Sequence, residues 1–413
     1  MGDRDNRYDT DDVIETENAE DTRYAGDTRD RNDGQDRSVR QDRSVRQDRS
    51  VRQDRNDMDN LDRMEGADDM PALVFDENEI KRVIDRVVDR TFRMDFSWDW
   101  PGGVAFYGVC EAYEATGKEE YLQKVKEWVD ENIADGLPKL TVNGVSIGHS
   151  LLTLYSATKE EKYLDTIKEM AEYLKNDAVR FGDGIFQHTV NSETYNFPEQ
   201  AWVDTMFMAG FFLLRVGALL GRDDYFQDGL RQYHGHENVL QDPVTNLYYH
   251  GWDNIAGNHM SGIHWARGNS WAALTMARAL EIVPVDLPNF MVIEGSLRDQ
   301  LSALVRLQDP ASGLWHTIVD DPSSPLETSG SAGIACALLT KGRLYNKYTQ
   351  KAIDGILARI TEDGTVTGVS AGTAVMKDAA GYRGVPDKRI QGWGQGLTLA
   401  FLAELLRVKQ NPY

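Results

Sequence analysis

Two cysteines in 413 residues, Cys110 and Cys336, are too few for a disulfide framework. Each sits among small and apolar residues of a helical pattern, which reads as a buried free thiol. No run of about 18 apolar residues occurs, so no membrane-spanning helix is expected. The chain also lacks basic charge: 45 Lys and Arg stand against 67 Asp and Glu, a net charge of -22, which makes nucleic acid and anionic membrane poor partners. Its opening, Met1-Gly2-Asp3-Arg4-Asp5, has no basic-then-apolar signal profile, and Asn6 departs from the myristoylation pattern, so a cytoplasmic protein is expected.

Phe and Trp are missing from one end, which has only Tyr8 and Tyr24 as aromatic residues. The first 70 residues contain no Phe or Trp and hold 22 acids and 13 arginines, leaving 45 acids and 32 bases to the rest. Within them Q-D-R-S-V-R starts at Gln35, Gln41 and Gln47, with a broken copy at Gln53. So little apolar surface cannot offset the entropy of ordering, so residues 1–70 read as a disordered low-complexity tail and 71–413 as the folded domain that any chemistry must occupy.

From Pro71 onward apolar residues recur at helical spacing. The pieces A-T-G-K-E-E-Y-L around Tyr121, A-T-K-E-E-K-Y-L around Tyr163 and L-L-G-R-D-D-Y-F around Tyr225 share one plan. In each, an apolar helix ends, a short turn intervenes, and a charged amphipathic helix begins; a looser copy surrounds Tyr348. With the apolar member inside and the charged member outside, hairpins fall at 103–133, 145–176, 200–236, 267–307 and 330–359. A last inner helix at 390–408 lacks a following partner, and an amphipathic helix at 77–94 lacks a preceding one. Pairing those two closes a ring of six hairpins, so the expected fold class is all-α, an (α/α)6 barrel. Its long outer-to-inner loops, rich in Gly, Trp, His and Asp, gather on one face. Of nine Trp residues only Trp128 lies clearly on an outer helix. That face should therefore hold an aromatic-lined cleft, which suits sugar rings.

Several constellations carry possible chemistry. Asp204, in P-E-Q-A-W-V-D-T-M-F-M at 198–208, falls early in the most apolar helix, on a surface shared with Trp202, Phe207 and Phe211. A carboxyl there is either a satisfied cap or a group whose raised pKa is useful. Trp202, Glu199 and the loop histidines favour the second. In H-W-A-R-G-N-S-W at 264–271, Trp265 and Trp271 offer stacking faces, Arg267 a fork for a carboxylate, and Gly268 room for a ligand against backbone. The alternative there is a packed helix start with a surface arginine. The loop Tyr248-Tyr249-His250-Gly251-Trp252-Asp253 adds His250 and Trp252, and His188 is placed to approach Asp204 across a loop. His234 and His236 end an outer helix without a carboxylate at ligand spacing, so no metal is expected. The W-G-Q-G at 393–396 reads as tight packing of a helix rather than a phosphate cradle.

The order Q-x-W-x-D-T-x-F-M, Y-H-G-W-D, W-A-R-G-N-x-W, G-L-W-H-T-x-x-D-D-P at 313–322 and W-G-Q-G resembles glycoside hydrolase family 105, the unsaturated rhamnogalacturonyl and glucuronyl hydrolases. The resemblance runs from about Pro71 to the C-terminus. It implies an (α/α)6 barrel that removes a 4,5-unsaturated uronic acid from the non-reducing end of lyase-generated oligosaccharides, with rhamnogalacturonan fragments the first choice of substrate. It implies that the acid/base falls on Asp204 and substrate contacts on His188, His250, Trp265 and Arg267, with no metal or organic cofactor required. One departure matters. Many members carry an Asp five residues before the Gly that opens the second inner helix; here that Gly is Gly148 and the position holds Asn143. The competing readings are an unsaturated glucuronyl hydrolase, an (α/α)6 polysaccharide lyase using Tyr249, His250 and Arg267, and a carbohydrate-binding protein without catalysis. Oligomeric state is not legible.

Overall fold

The computed structural model describes residues 71–192 and 195–410, so the tail expected at 1–70 lies outside the described residues. Helix α1 (Glu77–Thr91) precedes five helical pairs: α2 (Trp100–Thr116) with α3 (Glu119–Asp135), α4 (Gly148–Thr158) with α5 (Glu161–Asn176), α6 (Phe212–Leu220) with α7 (Asp223–Leu240), α8 (Ala266–Ile282) with α9 (Phe290–Arg306), and α10 (Thr328–Thr340) with α11 (Asn346–Leu357). A short helix α12 (Ala379–Arg383) leads to the last helix, α13 (Gly392–Gln410). Helices α2, α4, α6, α8, α10 and α13 pack side by side in that order, and α13 returns against both α2 and α1. The fold is an (α/α)6 barrel, closed by the two helices that the sequence left unpaired.

Patterning separates the two rings. In α1 the buried residues Ile80, Val83, Ile84, Val87 and Val88 make one stripe, as an outer helix requires. In α2 every residue from Gly102 to Ala112 is buried, because an inner helix has neighbours all round. At the closure, α2 and α13 touch through backbone: a Cβ on Gly108 would lie 2.1 Å from the Gly396 carbonyl oxygen. The glycines of W-G-Q-G therefore serve packing, as expected.

The repeated tyrosine also has a structural task. Tyr163 donates to Asp130 on α3 at 2.7 Å, Tyr225 to Glu172 on α5 at 2.5 Å, and Tyr121 to Asp85 on α1. Outer helices α3, α5 and α7 are thus each tied to the outer helix before them. The turns ahead of these tyrosines reverse direction through left-handed residues, Gly117, Lys159 and Gly221.

At the opposite end the loops are stitched into a rim. Strand β1 (Arg180–Phe181) pairs with β2 (Ile185–Phe186), β3 (Gln200–Trp202) with β4 (Gly251–Asp253), and β5 (Trp315–His316) with β6 (Leu326–Glu327), all antiparallel. Between them His188 N–H donates to Gln200 O at 2.8 Å, Val203 to His250 O at 3.0 Å, Ala266 to Thr317 O at 2.9 Å and Thr328 to Gly368 O at 2.9 Å. This rim surrounds the N-termini of the inner helices. Where those helices end, Arg278 of α8 donates to Glu404 of α13 at 2.6 Å and to Glu111 of α2 at 3.2 Å, and Arg407 donates to Glu111 at 2.6 Å. Both cysteines are buried and free, and among the described residues no helix is long and apolar enough to cross a membrane.

Candidate active site

Asp204 lies in the turn between β3 and a π-helical stretch, Met206–Phe211, that runs into α6. The pairing of Trp202 with Gly251 fixes one side of the turn, and Phe207 and Met208 N–H groups donate to Asp204 O at 3.0 Å on the other. Wide π turns often mark functional positions because they alter the helical hydrogen-bond ladder. Here Phe207 O accepts from His149 Nε2 at 3.1 Å, while His149 Nδ1 accepts from Arg215 at 3.2 Å.

Aromatic rings close around the carboxylate. His250 Nε2 stands 3.5 Å from Asp204 Oδ2, long for a hydrogen bond but near enough for the imidazole to act on the carboxylate. His188 stacks on Trp202 at 4.0 Å, Trp202 meets His250 edge-on at 5.5 Å, and His250 stacks on Trp265 at 4.2 Å. Asn143 joins the same wall: its N–H donates to the carbonyl of Thr189, the residue after His188, at 3.1 Å. Asp204 Oδ2, His250 Nε2, His188 Nδ1, Asn143 Oδ1 and the indole nitrogens of Trp252 and Trp265 are buried without hydrogen-bond partners. Buried polar atoms are normally paired, so this concentration marks a surface prepared for a ligand's hydroxyls or for water.

The electrostatics reverse one expectation. Burial does push the Asp204 carboxyl upward, but His250, then His188 and Arg267, outweigh it and hold the group below the usual carboxylate value. Burial in turn pulls the His188 imidazole down to about 3 and lowers that of His250, so both are neutral near pH 7. Asp204 is therefore a carboxylate in the free protein rather than a ready-made acid.

Three expected ligand contacts take other roles. The Arg267 side chain is 1 % exposed. It donates through Nη1 to Ser370 Oγ at 2.7 Å and through Nη2 to Ala371 O at 2.9 Å and Thr373 Oγ1 at 3.1 Å, with Glu327 3.5 Å away. It is neither a surface arginine nor an open fork; it braces the loop before α13 and contributes charge. Trp271 is buried against Phe207 at 4.8 Å, in the core with Trp315, so it does not line the cleft. Gly268 makes room for Val203, not for a ligand, since a Cβ there would lie 2.7 Å from Val203 Cγ1. Trp252 sits half-buried on β4, edge-on to His259 at 5.0 Å.

The sequence reading missed two groups. Asp99 caps α2 at the same end of the barrel, accepting from Trp100 N at 2.7 Å, and burial raises it to about 6 against that hydrogen bond. Trp100 beside it stacks on Trp393 at 4.6 Å. An Asp between two Trp at an inner-helix start was a usable signal. Tyr382 of α12 places its hydroxyl 2.7 Å from His250 Nδ1, and nothing in its local sequence announces that.

Residues 75–409 match the family model described as Glycosyl Hydrolase Family 88. The chain belongs to glycosyl hydrolase family 88. It is 65 % identical over 344 residues to the unsaturated rhamnogalacturonyl hydrolase YesR of Bacillus subtilis, covering 83 % of this chain and all of that relative. A structure from Salmonella enterica, described as a possible member of family 105, superposes with a TM-score of 0.78 at 29 % identity, over 82 % of this chain and 96 % of the other. The unsaturated glucuronyl hydrolase of Bacillus sp. GL1 shares the fold at a TM-score of 0.61 and 17 % identity, over 78 % and 94 % of the two chains. The resemblance to family 105 read from the motif order holds, and this family 88 chain is a glycoside hydrolase.

Proposed function

We propose that this hydrolase removes the 4,5-unsaturated uronic acid from the non-reducing end of lyase-generated rhamnogalacturonan oligosaccharides. The observation that carries the reading is Asp204, a carboxylate held among two neutral histidines, indole rings and unpaired buried polar atoms. The likeness to a rhamnogalacturonyl hydrolase over that relative's whole length supports the substrate class.

Six inner helices direct their N-termini toward this end, and their partial positive charges favour an anionic sugar in a protein of net charge -22. The sugar's carboxylate and Asp204 repel each other in a poorly solvated site, so each raises the other's pKa and Asp204 takes up a proton on binding. As general acid it protonates carbon 4 of the enol ether, leaving an oxocarbenium shared by carbon 5 and the ring oxygen. As carboxylate it then accepts a proton from the water that adds to carbon 5. The hemiketal opens and rearranges, expelling the remaining oligosaccharide. Ordinary glycosidases use a carboxyl pair because they attack the glycosidic bond itself; hydration of a double bond needs one group that gives and then takes a proton. His250 orients that group, His188, Trp202, Trp252 and Trp265 present aromatic faces, and Asn143 offers an amide in place of a second carboxylate.

The test tracks ultraviolet absorbance of the unsaturated uronate across a panel of lyase digests: rhamnogalacturonan, ulvan, arabinogalactan-type and glycosaminoglycan. Fastest loss on rhamnogalacturonan fragments is expected. A gain of absorbance on intact polysaccharide identifies a lyase instead, and preference for glycosaminoglycan fragments identifies a glucuronyl hydrolase. In this reading residues 71–413 suffice, and a version lacking 1–70 keeps its turnover.

A further inference from the structure

We infer that Tyr382 is a positioning residue for the reaction: its hydroxyl fixes His250 as the tautomer that carries its proton on Nε2, aimed at Asp204. The inference rests on the reading of Asp204 as the acid/base.

The geometry defines who donates. Tyr382 is fully buried and its oxygen lies 2.7 Å from His250 Nδ1. Burial keeps the phenol protonated, and the Asp204 carboxylate, 3.5 Å from Nε2 on the other side of the ring, can only accept a hydrogen bond. The phenol proton is thus directed to Nδ1, which must be the bare nitrogen of a neutral imidazole. Nε2 then bears the hydrogen, and Nε2 is the atom 3.5 Å from Asp204 Oδ2.

Tyr382 is also held firmly enough for the task. It packs with Trp265, Ile318, Met376 and Val385 in an apolar cluster separate from the barrel core. The Asp378 side chain caps α12 by accepting from Gly381 N at 3.1 Å, and Arg383 at its end donates to Asp321 at 2.9 Å. One loop therefore both braces Arg267, through Ser370, Ala371 and Thr373, and orients His250, through Tyr382.

The consequence concerns proton delivery. A donor on Nε2 stabilises the Asp204 carboxylate, and after the first proton transfer it holds the oxygen that must accept a proton from water. The charged or titratable groups acting most strongly on Asp204 are His250, His188 and Arg267; on His250 they are Asp204 and Arg267. None of these is removed by Tyr382→Phe, which deletes one hydroxyl and keeps the ring in its cluster.

The test uses full-length protein labelled with 15N-histidine, with His250→Gln to assign the resonances. Wild type should show an unprotonated Nδ1 and a protonated Nε2 at His250. Tyr382→Phe should give shifts averaged between the two tautomers. Its kcat should fall roughly 10-fold to 100-fold, as when other outer partners that fix a histidine are lost, and the alkaline limb of kcat should move up by about one pH unit as Asp204 loses support for its ionised form. A proton on Nδ1 in wild type overturns the inference without any variant needing to fold. So does a Tyr382→Phe protein with the wild-type tautomer and limb. If the nitrogen shifts behave as expected while Asp204→Asn keeps its turnover, the tautomer assignment stands and the reading of Asp204 falls.

Discussion

Both ends of the barrel interior bury charge, and they treat it in opposite ways. At the closed end Arg278, Arg407, Glu111 and Glu404 neutralise one another at 2.6 to 3.3 Å. At the rimmed end Asp204 has a histidine at 3.5 Å, and its Oδ2, with His250 Nε2, His188 Nδ1 and Asn143 Oδ1, lacks a hydrogen-bond partner. The closed-end charges sit on the inner helices α2, α8 and α13 themselves, whereas the rimmed-end groups sit on the loops that lead into inner helices, so the difference comes from the kind of chain that carries each set. Short turns let arginines and glutamates interlock, whereas long paired loops hold polar atoms apart around a space that a ligand completes. The lesson is that buried charge alone does not mark a site; incompletely matched buried charge does.

Substitution at each end should separate activity from stability. Asp204→Asn is expected to lower turnover about 100-fold to 10,000-fold while folding and oligosaccharide binding persist, because the amide keeps the shape and cannot carry the proton. Initial rates with separate binding measurements check this. Activity within about tenfold of wild type moves the acid/base role elsewhere.

At the closed end, Arg278→Met leaves Glu111 and Glu404 short of a partner, and denaturant unfolding should show a loss of about 3 to 5 kcal/mol. The kcat of the remaining folded protein should stay near wild type. The same group sets an acid limit. Burial acts to raise Glu111, but Arg407 and Arg278 overcome it and hold the carboxyl at about 2, below its ordinary 4.5. Its contribution to stability is therefore complete above about pH 4.5 and disappears as pH falls toward 2. Loss of activity with unchanged stability in Arg278→Met contradicts the division between the two ends.

The smallest expected effect sharpens the rimmed end. Asn143→Asp places a second carboxylate on the wall that holds His188, and like charge raises the pKa of Asp204. The alkaline limb of kcat should move upward by about one pH unit, or about 1.4 kcal/mol. A limb that stays in place, in a folded and active variant, means position 143 does not couple to Asp204.

Periodicity and local motif made part of the molecule readable from its sequence. The inner and outer helices, the closing pair and the cluster of Asp204, His188, His250 and Trp202 were legible because each rests on near neighbours or on loops that precede inner helices. The partners of Arg267 were not. Ser370, Ala371 and Thr373 lie more than 100 residues away, and only the folded rim shows that they engage its fork. Tyr382 is 132 residues from His250 for the same reason. Trp271 and Trp265 occupy one motif and one helix start, yet helical rotation sends the first into the core and leaves the second against His250. The electrostatics of Asp204 are only half legible in sequence: its apolar neighbours, which push the carboxyl up, are visible there, whereas the summed effect of His250, His188 and Arg267 depends on distances.

Proton uptake on binding tests the resting carboxylate most directly. A saturated uronate oligosaccharide, which lacks the reactive double bond, can be titrated calorimetrically near pH 7 in two buffers of different ionisation enthalpy, using wild type and Asp204→Asn. Wild type should take up about one proton per ligand and the variant close to none. Equal uptake by both proteins, or none by wild type, would contradict a carboxylate at Asp204 that becomes the acid only when the anionic sugar arrives.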